Sequence, residues 1–381
     1  MKSILLTAIA ALLFPLNAAA IQLFTFYADC ELGLIDTVTD SSTPIGSLVE
    51  WSVEAMDYGP DGMLYATVEN GCHVHGTADT LAIIDPATLL VISIGAIDVD
   101  GYGIGDVDAL AFSPTGELFG VSIASYELIT IDPGTGAGTP VGLLTGLPGT
   151  FLGAIEFLPD GTLMGIDMAE ADGGPSNLYT IDSGTGEVTH VGALVSESGE
   201  IFGSVEGMTV APGPFRALLA LAKSMEGNEP AQLIRVGETS GESWLVQEMP
   251  LPLPDYPGAR DALVALPAIE IEIDIKPGSW PNSINLLNMG VIAVAILTTD
   301  EFDATTLQTR RGRFGPAGAT LVHNSAHIED VDLDGDLDLL MHFETGDTGI
   351  ECGDNSADLR TVNEIGQALV GTDAVRTVAC K

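Results

Sequence analysis

One pattern recurs through the first two thirds of the chain at intervals of roughly 50 residues. It first reads "VEAMDYGPDGMLYATV", followed by "DTLAIIDPATLLVISIGAI". It returns as "VDALAFSPTGELFGVS" with "YELITIDPGTGAGTPVGLL", and again as "LGAIEFLPDGTLMGID" with "SNLYTIDSGTGEVTHVGAL". A diverged copy reads "VEGMTVAPGPFRALLALA" with "AQLIRVGETSGESWLVQEM". A repeat of this length is one supersecondary unit that cannot bury its apolar face alone, so neighbouring copies must stack.

The chemistry of each copy is that of four short strands. Pro60, Pro114 and Pro159 preset a turn, and Gly62, Gly116 and Gly161 supply its permissive backbone. A second strand follows, then a variable loop, then a third strand ending at Asp85, Asp132 or Asp182. A turn carrying Thr-Gly or a substitute leads into a fourth strand that closes near Ile-Gly or Val-Gly. Four antiparallel strands of this kind make one propeller blade. The stretch "FRALLALAK" is read as strand from its place in the repeat, although its composition also suits a helix. Residues 23–48 hold later strands without a first one, and "ARDALVALP" at 259–267 holds a first strand without a blade. Joined, they close the ring and cover its edge strands. The expectation is an all-β chain with a β-propeller of five blades, six being the alternative count, followed by a small β-sandwich. Over residues 21–267 the lines "PDGxLY…IDPxTG" resemble bacterial secreted β-propeller repeat proteins. That resemblance implies the fold and leaves the activity open, since propellers host binding, scaffolding and catalysis.

Six residues before each turn proline stand Glu54, Asp108, Gly153, Glu206 and Asp261. First strands line the central channel, so repeated carboxylates there could hold a divalent cation. Calcium-dependent lactonase and phosphotriesterase propellers use a channel metal of this kind, and the resemblance is positional. The competing reading makes these side chains staples that accept backbone amides of the next blade, and the repetition favours it. No Gly-x-Ser-x-Gly elbow, His-Glu-x-x-His helix or phosphate-binding glycine loop is present, so no catalytic residue is assigned.

After Pro267 the composition changes. "AIEIEIDIK" alternates apolar and acidic residues, and Val291 to Leu297 form a continuous apolar run. Both read as strands of a sandwich. Within it, "EDVDLDGDLDLLMHF" crowds six acidic residues into positions 329–338 and then runs into a hydrophobic strand. Written as D-x-D-x-D-G-D-x-D, it offers Asp330, Asp332, Asp334, Asp336 and Asp338 as oxygen ligands, with Gly335 permitting the bend. Oxygen-only ligands select a hard cation, and Ca²⁺ suits an extracellular site. Met341 replaces the Glu an EF-hand needs, and the flank reads as strand. The loop therefore resembles the strand-associated calcium loops of FG-GAP-type and thrombospondin-type repeats. The wider pattern over residues 269–380, including "IDIKPGSWPNSIN" and "GVIAVAILTTDEFDATTL", resembles an uncharacterised C-terminal domain of secreted proteins from marine and environmental bacteria.

Charge and cysteines bear on compartment and partners. The chain of 381 residues has 54 acidic against 12 basic side chains, a formal net charge of −42. This excludes nucleic acid, whose phosphates need a basic footprint. Residues 1–20, with Lys2, an apolar run and a small-residue end at Ala20, read as a cleaved signal peptide. No later apolar run is long enough to span a bilayer. The implied location is secreted or periplasmic, where four cysteines would pair; Cys30–Cys72 and Cys352–Cys380 are favoured among three connectivities because each closes a local loop. The domains are expected at 21–267 and 268–381. The functional expectation is a secreted calcium-binding protein whose propeller takes an unidentified protein or glycan ligand. The alternatives are a metal-dependent hydrolase working from the channel and a structural matrix or surface component.

Overall fold

The computed structural model describes residues 22–27, 30–37, 41–71, 79–99, 102–103, 107–148, 151–168, 174–211, 217–222, 231–248, 260–287, 290–299, 302–307, 312–322, 326–363 and 368–380. The expected signal peptide and Cys72 lie outside these residues. Among the described residues every regular element is a strand or a single 3₁₀ turn.

The N-terminal strands are β1 (Gln22–Tyr27), β2 (Glu31–Asp36) and β3 (Ser41–Ser47). The first full repeat forms β4 (Trp51–Tyr58), β5 (Leu64–Asn70), β6 (Thr80–Asp85) and β7 (Leu90–Ala96). A short ribbon, β8 (Asp98–Val99) and β9 (Tyr102–Gly103), precedes the second: β10 (Val107–Phe112), β11 (Leu118–Ser122), β12 (Glu127–Ile131) and β13 (Gly138–Leu143). The third is β14 (Leu152–Phe157), β15 (Leu163–Asp167), β16 (Asn177–Ile181) and β17 (Val188–Ala193). The fourth is β18 (Val205–Ala211), β19 (Ala217–Ala222), β20 (Gln232–Val236) and β21 (Ser243–Glu248), and β22 (Arg260–Ala265) follows. Each repeat is a four-stranded antiparallel meander, and β22 adds to β1, β2 and β3 as the inner strand of a fifth sheet. The inner strands β22, β4, β10, β14 and β18 adjoin in that order, and β18 returns to β22. The described residues thus close a five-bladed ring from both ends of the repeat region. "FRALLALAK" contributes β19, a strand, with residues 217–222 all buried.

The repeat signature has a packing cause beyond turn chemistry. The turn aspartates act as local caps: Asp132 Oδ1 accepts the Gly134 amide at 2.8 Å, and Asp182 Oδ1 accepts that of Gly184 at 2.9 Å. The glycines of Ile94-Gly95, Val141-Gly142 and Val191-Gly192 lie against the Thr-Gly or Ser-Gly turn of the following blade. A Cβ on Gly142 would stand 2.2 Å from the Thr185 carbonyl oxygen, and one on Gly192 would stand 1.9 Å from that of Ser240. Backbone meets backbone there, so no side chain fits. Between blades the apolar residues form continuous layers; Ala154, Ile166, Leu178, Val205, Leu218 and Ile234 belong to one of them.

Beyond the ring come β23 (Ile269–Glu270), β24 (Ile273–Ile275), β25 (Ser283–Asn285), β26 (Val291–Ile296), β27 (Arg313–Phe314) and β28 (Ala319–Thr320). They are followed by β29 (His327–Glu329), β30 (Asp338–Glu344), β31 (Ser356–Val362), β32 (Ala368–Ala374) and β33 (Arg376–Val378). The order β24-β26-β30-β29 forms one sheet and β23-β32-β31-β27-β28 the other, with β25 and β33 paired beside them. Ile273, Val294, Leu339 and Met341 from the first sheet share a core with Phe314, Leu359 and Leu369 from the second. The expected apolar run is β26, in the middle of its sheet. Cys352 and Cys380 form a disulfide that ties the last described residue to the 3₁₀-flanked turn before β31. Cys30 is also disulfide-bonded.

Candidate metal centre

Strands β29 and β30 form a hairpin whose last pair is Glu329 with Asp338, so residues 330–337 are its connecting loop. Leu333 and Gly335 have left-handed backbone, φ 67° and φ 106°. Such angles fold the chain back on itself and favour glycine. Asp338 is 1% exposed. Its Oδ1 accepts the Thr298 amide at 2.9 Å and its Oδ2 accepts the Val331 amide at 2.8 Å. Thr298 in turn donates its hydroxyl to the Leu337 carbonyl at 2.6 Å. Asp338 thus anchors the loop to the end of β26 and still has lone pairs free, since a carboxylate offers about four.

Asp330, Asp332 and Asp338 each place a carboxylate oxygen within 4.8 Å of the others. Among the described residues no other group of three carboxylate, histidine or cysteine ligands comes as close. Asp330 Oδ1 is buried without a hydrogen-bond partner. A buried acceptor left unpaired costs about 1–3 kcal/mol, more when charged. Asp334 and Asp336 lie outside the convergent group and face solvent; Asp334 Oδ1 accepts the Asp336 amide at 2.9 Å. Partial desolvation holds the Asp332 carboxyl above its usual range, and the charges of Asp334 and Asp338 push the same way. These observations fit an oxygen-ligated cation: three converging carboxylates, one of them with an orphaned atom.

A residue absent from the sequence argument joins this field. Asp274 on β24 is pushed up by burial and then by the charges of Asp373 and Asp332. It belongs to the alternation "EIEIDIK", where a half-buried acid reads as ordinary strand patterning. Asp373 accepts the Ile275 amide and the Asn282 side-chain amide, both at 2.9 Å.

The ring places the other candidates differently. Residues 54, 108, 153 and 206 each interrupt the pairing of their inner strand as a bulge. In the closing blade the bulge falls at Ala262, φ 55°, while Asp261 keeps a ladder partner in Phe26. The repeat position is therefore not equivalent in all blades. Bulges re-aim side chains, and Asp108, Gly153 and Glu206 line one small cavity with apolar neighbours such as Ala55, Met208 and Leu263. Glu54 Oε1 accepts the Ser52 hydroxyl at 3.4 Å. Among the described residues Glu54, Asp108 and Glu206 do not form a set of three within 4.8 Å, and the side chain of Asp261 lies outside those residues. The cavity sits where the inner strands begin, the side of the ring that carries its longer connections.

Staples of the kind anticipated from sequence also occur three residues nearer the turn. Asp57 Oδ2 accepts the Phe112 amide of the next blade at 2.6 Å, and Glu156 accepts the Val210 amide and the Thr209 hydroxyl. Thr209 Oγ1 accepts the Ala265 amide at 3.1 Å, extending the series across the closing seam. Only three of the five blades carry a polar residue there, Ala111 and Val264 filling the others, which hid the series from a repeat comparison.

No protein-family model and no curated protein matches the chain. Solved structures resemble it at low identity. A protein of unknown function from Bacteroides caccae aligns at 11% identity over 64% of this chain and 98% of its own, TM-score 0.42. The calcium-binding protein regucalcin from Agrobacterium tumefaciens aligns at 16% identity over 53% of this chain and 66% of its own, slightly under two thirds of its length, TM-score 0.37. TolB from Acinetobacter baumannii aligns at 12% identity over 94% of this chain and 67% of its own, TM-score 0.35. The class rests on the chain's own ring of four-stranded sheets: it is a β-propeller repeat protein with an additional pair of packed sheets.

Proposed function

We propose that the chain is a secreted or periplasmic calcium-binding protein of two domains, a propeller at 21–267 and a sandwich at 268–381, following a signal peptide at 1–20. Ca²⁺ is held in the β29–β30 loop by Asp330, Asp332 and Asp338, with Asp334 and Asp336 completing the oxygen set from the solvent side. The observation that carries this reading is the convergence of three carboxylates around the buried, unpartnered Asp330 Oδ1. The role of the ion is structural. It neutralises charge at the edge of the sandwich core and locks the hairpin to the end of β26. The Cys352–Cys380 disulfide suits an oxidising compartment. The propeller supplies the binding face for a protein or glycan, through the longer connections around its mouth.

Isothermal titration with Ca²⁺ tests the site. One strong site per chain, lost in Asp330→Asn and Asp332→Asn, is the expected result; binding unchanged by either substitution contradicts the assignment. A second reading, hydrolysis at a channel metal, draws on Asp108 and Glu206 lining one cavity. A lactone and phosphotriester screen with and without chelator decides it, because that reading requires turnover that chelation abolishes.

A further inference from the structure

The outermost strand of each blade, β3, β7, β13, β17 or β21, is a free sheet edge. Such an edge presents backbone groups that another strand can pair with, and proteins guard it with proline or charge. One position is equivalent in all five, just before the pairing with the third strand shifts register. It is Pro44 in the closing blade and Pro140 in the second, neither of which has an amide to offer. In the third blade it is His190, which bonds the Asn177 side chain at 3.2 Å. In the fourth it is Leu245, on a strand that carries Trp244 under Arg235 and ends at Glu248. In the first it is Ser93. β7, "LVISIGA", holds no proline, no charge and no aromatic ring. Leu90 and Ile92 on it are 57% and 50% exposed. Among the described residues no strand pairs with its outer side. Residues 86–97 are all uncharged in a chain of net charge −42. Asp85, at the end of this stretch, is occupied by the Ala87 amide at 2.9 Å and the Thr88 hydroxyl at 2.6 Å.

We propose that β7 is a self-association edge, along which two copies of this chain pair antiparallel and join their first blades into one continuous sheet. A two-fold contact needs a patch complementary to itself. Pairing centred on Ile92 supplies one, because Leu90 and Ile94 of one copy then stand beside Ile94 and Leu90 of the other. Ile92 lies opposite Ile83, and Ile83 and Ile94 both pack toward the layer between the first and second blades, so the apolar row occupies one face. Main-chain hydrogen bonds between the two edges add to these contacts, as in other strand additions. Charge selects the occupant. A basic partner is drawn to acidic surface generally and gains nothing from a neutral strip. A partner as acidic as this chain is repelled except where charge is missing, and a second copy is such a partner. The strip is narrow, so the dimer is weak and transient.

Sedimentation velocity of the whole protein tests this, from about 5 to about 300 µM and at about 0.05 M and about 0.5 M salt. The expected result is a monomer–dimer equilibrium that tightens with salt, because screening relieves the repulsion between two acidic copies. Ile92→Lys and Ser93→Pro should each weaken the dimer at least about tenfold. Ile92 is exposed, and Ser93→Pro installs the residue that β3 and β13 already carry at the same position, so both variants should melt like the wild type. Leu143→Lys, which charges an equally exposed leucine on the outer strand of the second blade, should leave association unchanged. Hydrogen exchange should slow at residues 90–93 as the concentration rises. A monomer at every concentration and both salt levels would overturn the proposal. So would a dimer that Ile92→Lys and Ser93→Pro leave intact, since another surface would then hold it.

Discussion

Asp330 and Asp338 sit in one loop and carry different burdens. Asp338 satisfies two backbone amides, so its loss is felt with or without calcium. Asp338→Ala is expected to cost about 2–4 kcal/mol in urea unfolding under both conditions, because two amides lose a charged acceptor. Asp330 has an oxygen with no protein partner. Asp330→Asn should therefore raise calcium-free stability slightly while weakening calcium binding at least about tenfold, since a ligand's charge is removed. Titration calorimetry beside unfolding curves separates the two effects. Acidification should also weaken binding, because the Asp332 carboxyl is held above its ordinary range and must release its proton to ligate. The five aspartates were legible in sequence because alternation and a glycine mark such loops. Their division of labour was not. It depends on Thr298, which lies 40 residues from Asp338 in the chain and delivers an amide to it. Asp274 stayed hidden for the same reason: only the packed sheet brings it into the loop's field.

At the scale of strands and turns, the repeat was readable because each turn is local chemistry. Pro-Asp-Gly and Asp-x-x-Thr-Gly place their caps within a few residues, and the structure keeps those strands. The glycines closing each fourth strand had no local explanation. Their reason is a backbone approach between blades, as at Gly192 and Ser240. Gly192→Ala is expected to destabilise the propeller by about 2–4 kcal/mol through overpacking against main chain. Gly184→Ala, where a Cβ would meet only Asp182 Oδ1 at 3.4 Å, should cost much less. Urea denaturation of the two variants checks the contrast. The channel acids show the opposite limit. Counting back from the turn proline found Glu54, Asp108 and Glu206 in equivalent bulges, but in the closing blade the bulge moved to Ala262. Asp57 and Glu156 add seam contacts at a second repeat position, whose equivalents Ala111 and Val264 are apolar and break the repeat.

On the scale of the whole chain, two devices tie ends to bodies. β22 completes the sheet begun by β1, so the ring is held by residues more than 200 positions apart. The Cys352–Cys380 disulfide closes a loop of 28 residues near the C-terminus. Cys380→Ser should lower stability by about 2–4 kcal/mol, measured by calorimetry with and without reductant. The net charge of −42 repels itself throughout the molecule, and calcium held in the β29–β30 loop would relieve that repulsion locally.

Differential scanning calorimetry in 10 mM calcium and in chelator tests the central claim most directly. At a calcium concentration about 100 times the dissociation constant, binding adds about 2.7 kcal/mol to the folded state. The account predicts that the sandwich transition shifts upward by several degrees in the wild type and that Asp330→Asn abolishes the shift. Superimposable transitions in calcium and chelator, with no heat of binding at millimolar ion, would contradict it.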